Sequence, residues 1–250
     1  LFDPSRWDIF NDLVVWRSLG EGALNTLAMA GAAAVLALVV GVLFSFGRTA
    51  RSAWIRTPVA ILLEFFRGMP VLLMMLFALL VFSTGTYWAG VLALGLYNGA
   101  IIGEALRAGI ASLPSGQREA GLSLGLTPVA TRFLIEFPQA FRTMLPIIIA
   151  QLVVLLKDTS LAYIVGYSEL LRTGQNLTQF FGNRYAFSFF FIVLAMYLTM
   201  NLLLSWVARI ISHRTSSRGG ALIAADASAE QVAAGVDGSD GSDASASSGR

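Results

Sequence analysis

Residues 24–46 read LNTLAMAGAAAVLALVVGVLFSF, a run that contains no charged side chain. A helix that crosses a membrane needs about 20 mostly apolar residues, because about 30 Å of hydrocarbon is crossed at about 1.5 Å per residue. The run meets this requirement. The composition agrees with it, since 56% of the residues are hydrophobic and 13% are charged, about half the charged share of an average soluble domain. The mean hydropathy of +0.71 also indicates lipid as the solvent.

Four further stretches are long and apolar enough to be spans, namely residues 58–82, 87–111, 143–165 and 185–211. The sequence therefore predicts an all-α polytopic membrane protein with about five transmembrane helices. Residues 1–20 carry Trp7 and Trp16 and predict an external interfacial segment, and residues 21–214 form the membrane domain. Residues 215–250 have few large apolar side chains, which predicts a disordered cytoplasmic tail. The first residue is Leu1 rather than Met, so a further helix or signal upstream stays open.

The distribution of arginine and lysine around the spans predicts the orientation of the chain. Ten basic residues lie on one side: Arg48, Arg51, Arg56, Arg107, Arg118, Arg132, Arg142, Arg209, Arg214 and Arg218. Five lie on the other: Arg6, Arg17, Lys157, Arg172 and Arg184. The bias predicts an external N-terminus, a cytoplasmic C-terminus and a cytoplasmic connection between the third and fourth spans.

Several classes of chemistry are excluded by residue types that the sequence lacks. There is no cysteine, and His213 is the single histidine, so neither a disulfide nor a histidine or thiolate metal cluster is expected. No catalytic constellation is present, and no Gly-x₄-Gly-Lys-Ser/Thr loop exists to hold nucleotide phosphates. The pI of about 9.2 reflects arginine-rich edges that favour anionic lipid headgroups rather than nucleic acid. Energy for transport would come from a partner or from an ion gradient.

The cytoplasmic connection, residues 114–138, has the pattern of a docking element. Pro114 ends the helix of the third span, Ser115 caps a new helix, and residues 117–126 form that short helix. Gly121 and Gly125 are four residues apart and reduce the bulk of one helix face, so that another backbone can approach it. A short helix tethered to two spans can transmit force by inserting its apolar side chains into a cleft on a partner.

Two pairs of opposite charges occur within the spans. Each charge costs about 2.5 to 3.5 kcal/mol at a bilayer centre unless it is paired or hydrated. Glu64 and Arg67 are three residues apart, as are Glu104 and Arg107, so each pair can neutralise itself on one helix face. Both pairs lie near the cytoplasmic boundary. Structural ion pairs are the favoured interpretation, and a gate or a contact with a partner protein is the alternative.

The fourth span contains the polar run Lys157, Asp158, Thr159 and Ser160, followed by apolar residues. A helix interrupted by polar residues at membrane depth is typical of a segment that lines a substrate pathway. Lys157 and Asp158 would offer partners to the carboxylate and the ammonium of an amino acid, or they neutralise each other as a structural pair. Asn98 and Gln151 are weaker pathway candidates, because such residues more often join helices by hydrogen bonds.

The polar connection resembles the EAA loop of ATP-binding cassette (ABC) importer permeases. The resemblance rests on Glu119-Ala120-Gly121, on Gly125, and on Ile135 and Pro138 at the expected distances, although Gly121 stands where alanine is usual and Phe137 where leucine is usual. Four further segments are similar to polar amino-acid permeases, and to glutamate importers in particular: Asn25-Thr26-Leu27, Glu64 to Pro70, Tyr97 to Ile110, and Lys157 to Leu161.

This resemblance implies the type I importer permease architecture and a bacterial cytoplasmic (inner) membrane location. It implies three kinds of protein partner: a cytoplasmic ABC ATPase dimer, a second permease subunit, identical or homologous, and an extracytoplasmic amino-acid-binding protein. Six residues would couple to the ATPase: Glu119, Ala120, Gly121, Gly125, Ile135 and Pro138. ATP and magnesium would be held by the partner ATPase, and this chain would carry no cofactor.

The function that follows is ATP-driven import of a polar amino acid, with glutamate favoured. Two alternatives remain open at this point. One is a secondary transporter driven by an ion gradient, although the halves of the chain show no convincing internal repeat. The other is an importer of the same class for a different solute, such as a basic amino acid or an opine.

Overall fold

The computed structural model describes residues 6–210, and throughout that range the regular structure is helical, without a strand. The α-helices are α1 (Leu13–Arg48), α2 (Ala53–Gly68), α3 (Val71–Phe82), α4 (Thr86–Ala111), α5 (Ser115–Ser123), α6 (Pro128–Thr131), α7 (Phe137–Asp158), α8 (Leu170–Phe181) and α9 (residues 186–210). Three 3₁₀-helices (Asp8–Asn11, Thr159–Tyr163 and Asn183–Tyr185) and a π-helix (Arg132–Glu136) complete the order. The predicted tail, residues 215–250, and His213 lie outside the described residues.

The prediction of about five spans in an all-α membrane protein is confirmed. Within residues 6–210, four helical segments are long and apolar enough to cross a membrane: Leu13–Arg48, Thr86–Ala111, Pro128–Tyr163 and Asn183–Ile210. A fifth span is obtained if the bent pair α2 and α3 counts as one. The third and fifth spans begin within two residues of their predicted starts. The first and fourth spans begin earlier than predicted, and the second is broken.

The first span begins well before the predicted boundary at residue 20. Asp12 caps α1, since its carboxylate accepts a hydrogen bond from the backbone N–H of Val14 at 2.9 Å. A cap of this kind satisfies one of the free N–H groups of the first turn. The helix then continues through residue 20 without a break, so no structural boundary separates the N-terminal segment from the membrane domain.

The second predicted span, residues 58–82, is not one continuous helix. The axes of α2 and α3 are bent by 105°. Pro70 causes the break, because proline lacks an N–H and keeps the preceding residue out of the helical region. Met69 is extended accordingly, with φ −88° and ψ 130°, and Pro70 follows with φ −59° and ψ 131°.

Two features of the second half were not predicted. The fourth span begins at Pro128 rather than at residue 143, and it contains the π-helix before α7 starts at Phe137. The connection before the last span contains α8, whose one apolar face packs with Val15, Leu19 and Phe189 while its other face is polar. A 12-residue amphipathic helix is too short to register as a span.

The core of the membrane domain is the contact between α1 and α4. Gly95, Gly99 and Gly103 recur every fourth residue on α4 and face α1. A methyl group placed at these glycines would lie 2.5 Å from Leu36, 2.8 Å from Val40 and 2.7 Å from Phe44, respectively. Small residues at this spacing let two helix backbones approach closely inside a membrane. The close approach buries Ala33, Ala37, Leu94 and Ile102.

A bulky side chain at the centre of this contact should separate the two helices. We expect Gly99→Leu to lower the free energy of unfolding by about 1 to 3 kcal/mol or more, because overpacking forces backbone shifts. Gly31→Leu is the matched control, since a side chain at Gly31 on α1 meets open space. Thermal melting of the purified proteins in detergent measures both variants. Equal melting temperatures for the two variants would contradict the assignment of this contact as the core.

Candidate functional site

The connection formed by residues 114–138 folds as a short helix, as the sequence predicted, with a different capping arrangement. Pro114, not Ser115, is the N-cap residue of α5, and Ser115 is the first helical residue. The helix ends in a Schellman motif, in which the N–H of Gly125 bonds to the carbonyl of Leu122 and that of Leu126 bonds to Gly121, at 3.0 and 3.2 Å. Gly125 has φ +82°, a left-handed conformation that favours glycine.

The two glycines of α5 therefore have different roles. Gly121 is buried, and a methyl group there would lie 2.6 Å from Thr131 and 2.8 Å from Ile135, so it allows α5 to pack on α6 and the π-helix. No atom lies within 4 Å of the equivalent position at Gly125. Gly125 ends the helix, and no neighbour among the described residues approaches it, so the close approach of another backbone there stays a prediction.

The remaining predicted coupling residues face outward or hold the segment together. Glu119 and Ala120 are exposed, and within residues 6–210 the Glu119 carboxylate has no ionic partner. Ile135 packs beneath Gly121. Pro138, exposed at the second position of α7, cannot donate to the carbonyl of Leu134, which is the reason we give for the π-helix immediately before it.

Two side chains that sequence reasoning overlooked join this connection to the end of α1. Arg132 donates a hydrogen bond to the carbonyl of Thr49 at 2.6 Å and lies 3.5 Å from Glu136. Phe133 stacks on Phe46, with ring centroids 4.0 Å apart and planes at 9°. The spacing of Arg132 and Glu136 was a visible signal of an ion pair, but the partner on α1 is remote in sequence and left no local pattern.

Both predicted charge pairs are formed. Arg67 bonds to Glu64 at 3.1 Å, and Arg107 bonds to Glu104 at 2.7 Å. Arg48 at the end of α1 also approaches Glu104, at 3.8 Å. The second pair therefore joins α1 to α4, as expected for a structural ion pair. A further gating role stays a prediction.

The predicted interruption of the fourth span is present. The α-helical geometry of α7 ends at Asp158 and changes to a 3₁₀-helix over Thr159–Tyr163. Lys157 and Ser160 line a cavity of about 450 Å³ between α7, α8 and α9, together with Tyr197 and Asn201. Thr159 is fully buried instead and donates to the carbonyl of Leu156 at 2.7 Å. Its role is therefore structural.

Lys157 and Asp158 do not form the structural pair that was considered. No ion pair joins them within residues 6–210, and Asp158 is half-buried away from the lining of the cavity. Successive residues on a helix point about 100° apart, so neighbours in sequence seldom meet. Only the cation of the two is thus presented to the cavity.

Asn98 and Gln151 join helices rather than lining this cavity. Gln151 donates to the side-chain oxygen of Asn98 at 2.7 Å, and the Asn98 amide donates to the carbonyl of Leu94 at 2.8 Å. Asn98 is fully buried. The bond connects α7 to α4, which is the more common use of amide side chains inside membrane proteins.

A buried carboxylate, Glu169, organises the outer side of this region. It caps α8 by accepting the backbone N–H groups of Leu171 and Arg172 at 2.8 and 2.7 Å, and Tyr197 donates its hydroxyl to it at 2.5 Å. Thr26 of α1 accepts the N–H of Leu170 at 3.1 Å. Burial raises the pKa of the Glu169 carboxyl, while these donors act in the opposite direction.

The Glu169 side chain should stabilise the fold through the hydrogen bonds that its oxygens accept rather than through its negative charge. We expect Glu169→Ala to lower the free energy of unfolding by about 2 kcal/mol, because it removes the cap and leaves Tyr197 without its acceptor. Glu169→Gln keeps an oxygen acceptor and should retain most of the stability. Thermal melting in detergent compares the two variants, and equal losses would contradict the proposed role.

The comparisons with known proteins agree on one family. Residues 33–217 match the family described as "Binding-protein-dependent transport system inner membrane component". The glutamate transport system permease protein GluD of Corynebacterium glutamicum is 36% identical over 215 residues, covering 82% of this chain and 78% of that protein. The probable glutamine ABC transporter permease protein GlnP of Bacillus subtilis is 34% identical, covering 76% and 90%.

Solved structures support the same fold. An amino acid ABC transporter crystallised with histidines superposes with a TM-score of 0.73 and 25% identity, covering 83% of this chain and 98% of that chain. The inward-facing MetNI methionine ABC transporter superposes with a TM-score of 0.69 at 18% identity, covering 82% and 99%, which shows similarity of fold alone. The helical arrangement described above is therefore that of type I importer permeases.

Proposed function

Since the chain belongs to the family of binding-protein-dependent transport system inner membrane components, as a multi-pass permease subunit of an amino-acid ABC importer, we propose that its solute is glutamate. The observation that carries this proposal is Lys157, a cation without an ionic partner in residues 6–210 that lines a cavity of about 450 Å³. The 36% identical glutamate permease supports it. Family membership sets aside the alternative of an ion-gradient-driven transporter.

Glutamine is the second candidate solute, because the 34% identical relatives are glutamine permeases. Both amino acids carry an α-carboxylate that Lys157 could bind. Glutamate brings a second carboxylate to a site whose lining contains no acidic residue. A basic amino acid or an opine is less compatible with the charge of this lining.

The cavity, rather than the whole polar run, is proposed as part of the solute pathway. Its polar lining comes from Lys157 and Ser160 on one side and from Tyr197, Asn201 and Ser205 of α9 on the other. The remaining walls are mostly apolar, as is usual for small-molecule sites with a few oriented polar groups. Asp158 and Thr159 then support the turn of chain that presents Lys157.

Removing the charge of Lys157 should weaken handling of an anionic solute. We expect Lys157→Met, which retains the length of the side chain, to lower glutamate uptake at least tenfold, roughly the effect of losing one charge-assisted hydrogen bond. Lys157→Arg keeps the cation and should retain more activity. Uptake of labelled glutamate by cells of the native host with the chromosomal copy replaced measures both variants, with membrane content checked by immunoblotting. Normal uptake by Lys157→Met would exclude this site.

The segment 114–138 is proposed to dock on the ATPase subunits. Its outer surface offers Glu119 and Ala120 together with apolar side chains that are 80% exposed at Leu124 and 67% exposed at both Val129 and Leu134. Exposed apolar residues beside an unpaired charge are typical of a protein interaction site. The packing of Gly121 on Thr131 and Ile135 joins α5 to α6 and the π-helix that leads into α7, an arrangement suited to transmitting force.

Reversing the charge at Glu119 tests this docking surface. We expect Glu119→Lys to lower uptake at least tenfold while the chain inserts normally, because like-charge contacts at an interface are costly. Glu21→Lys is the matched control. Glu21 is also an exposed glutamate, but it lies toward the N-terminal end of α1, away from the segment 114–138. Uptake is measured as above, and full activity of Glu119→Lys would contradict the coupling role.

The partners and the orientation complete the proposal. We propose two cytoplasmic ATPases, a second permease subunit and an extracytoplasmic amino-acid-binding protein, with the N-terminus outside and the C-terminus inside. Purification of the chain from native membranes, with identification of bound subunits, tests the assembly. The ATPase activity of the assembly is then measured with glutamate or glutamine and the candidate binding protein. Greater stimulation by glutamate supports the proposed solute, greater stimulation by glutamine overturns it, and recovery of the chain without an ATPase contradicts the assembly.

A further inference from the structure

Helix α2 is unusually exposed for a segment with so many large apolar side chains. Of its 16 residues, only Leu63 is buried. Trp54 is 91% exposed, Ile61 65% and Phe65 58%. No other element among residues 6–210 covers this face, so lipid or a protein partner must do so in the membrane.

Three faces can be distinguished around α2, given about 100° of rotation per residue. The inner face carries Leu63 with Val59 and Phe66, and it packs on α1, where a methyl group at Gly47 would lie 2.9 Å from Val59. The opposite face is apolar and exposed. The third face is polar and lies between the other two: Ala53, Arg56, Thr57, Ala60, Glu64 and Arg67.

The position of α2 along α1 places it at the edge of the membrane. Its middle packs at Gly47, next to Arg48, the last residue of α1. Because α2 is bent from α3 by 105°, it runs sideways at the level of the end of α1 instead of prolonging the span.

The charges near the start of α2 are not compensated. Arg51 and Arg56 are exposed, and no acidic side chain pairs with either within residues 6–210. The one acidic residue of α2, Glu64, pairs with Arg67 at 3.1 Å. The N-terminal half of the helix is thus basic, with an exposed tryptophan between the two arginines.

We propose that α2 lies in the headgroup plane of the leaflet at the C-terminal end of α1, and that Arg51 and Arg56 bind the phosphates of anionic phospholipids there. An amphipathic helix with a basic polar side and an aromatic apolar side takes this position in membranes. Each arginine near an anionic surface adds to the attraction. Anionic phospholipid supplies acyl chains for the apolar face and phosphates for both arginines together, whereas a protein partner would need an apolar surface flanked by carboxylates at both positions, so we commit to lipid as the occupant. The proposal is independent of the solute.

The depth of α2 is tested by spin labels at single cysteines, which the absence of cysteine from the chain makes straightforward. Phe65→Cys labels the apolar face and Ala53→Cys the polar face, in the full chain reconstituted into phosphatidylcholine and phosphatidylglycerol vesicles at three to one. We expect the first label to be reached by oxygen and shielded from an aqueous nickel chelate, and the second to show the reverse. Two results would overturn the proposal. One is access of the nickel chelate to both labels. The other is access of neither oxygen nor nickel to the label at Phe65→Cys, which would mean that a second subunit covers this face.

The choice of lipid is tested by native mass spectrometry of the full chain equilibrated with equal amounts of phosphatidylglycerol and phosphatidylcholine. We expect retained phosphatidylglycerol, relative to phosphatidylcholine, to fall about thirtyfold in the Arg51→Gln and Arg56→Gln double variant, with each arginine contributing about 1 kcal/mol. The Arg6→Gln and Arg17→Gln double variant removes the same charge at the other end of α1 and should retain the native ratio. An unchanged ratio in the first variant, or an equal fall in both, would overturn the proposal.

Discussion

The close contact of α1 with α4 is the constraint on which the rest of this structure depends. Apolar helices gain little by leaving lipid for one another, so association inside a membrane rests on close packing and on hydrogen bonds. Gly95, Gly99 and Gly103 make that packing possible. The contact fixes the end of α1 beside Glu104, where Arg48 approaches at 3.8 Å. It therefore also fixes the end of α1, which holds the connection formed by residues 114–138.

The connection formed by residues 114–138 is attached to the end of α1 by its inner face only. Arg132 and Phe133 hold it to Thr49 and Phe46, and Gly121 packs on the residues that follow it. Its outer face, which carries Glu119, is exposed. An element that is rigid on one side and open on the other can move the spans attached to it when a partner pushes on it. The π-helix at Arg132–Glu136 lies where such a movement would pass into α7.

The polar cavity and the connection are joined by α7, which begins at one and ends at the other. The bond between Gln151 and Asn98 anchors the middle of α7 to α4. Near the cavity, Glu169 gathers the start of α8 and Tyr197 of α9. A displacement at the N-terminal end of α7 would thus be transmitted to the turn of chain that presents Lys157, which is the relation expected of a permease with alternating access.

The sequence alone determined the helical class, the approximate number of spans and the site of the short docking helix, because each depends on local composition, apolar length or proline and glycine. It also indicated the interruption at Lys157 and the pairs at Glu64 and Glu104, where the partners are close in the chain. The tertiary structure decided the rest. Two features depend on neighbours that are distant in sequence: which of Lys157 and Asp158 lines a cavity, and the contacts of Arg132 and Glu169. Such contacts follow from the packing of whole helices, and a local pattern does not encode them.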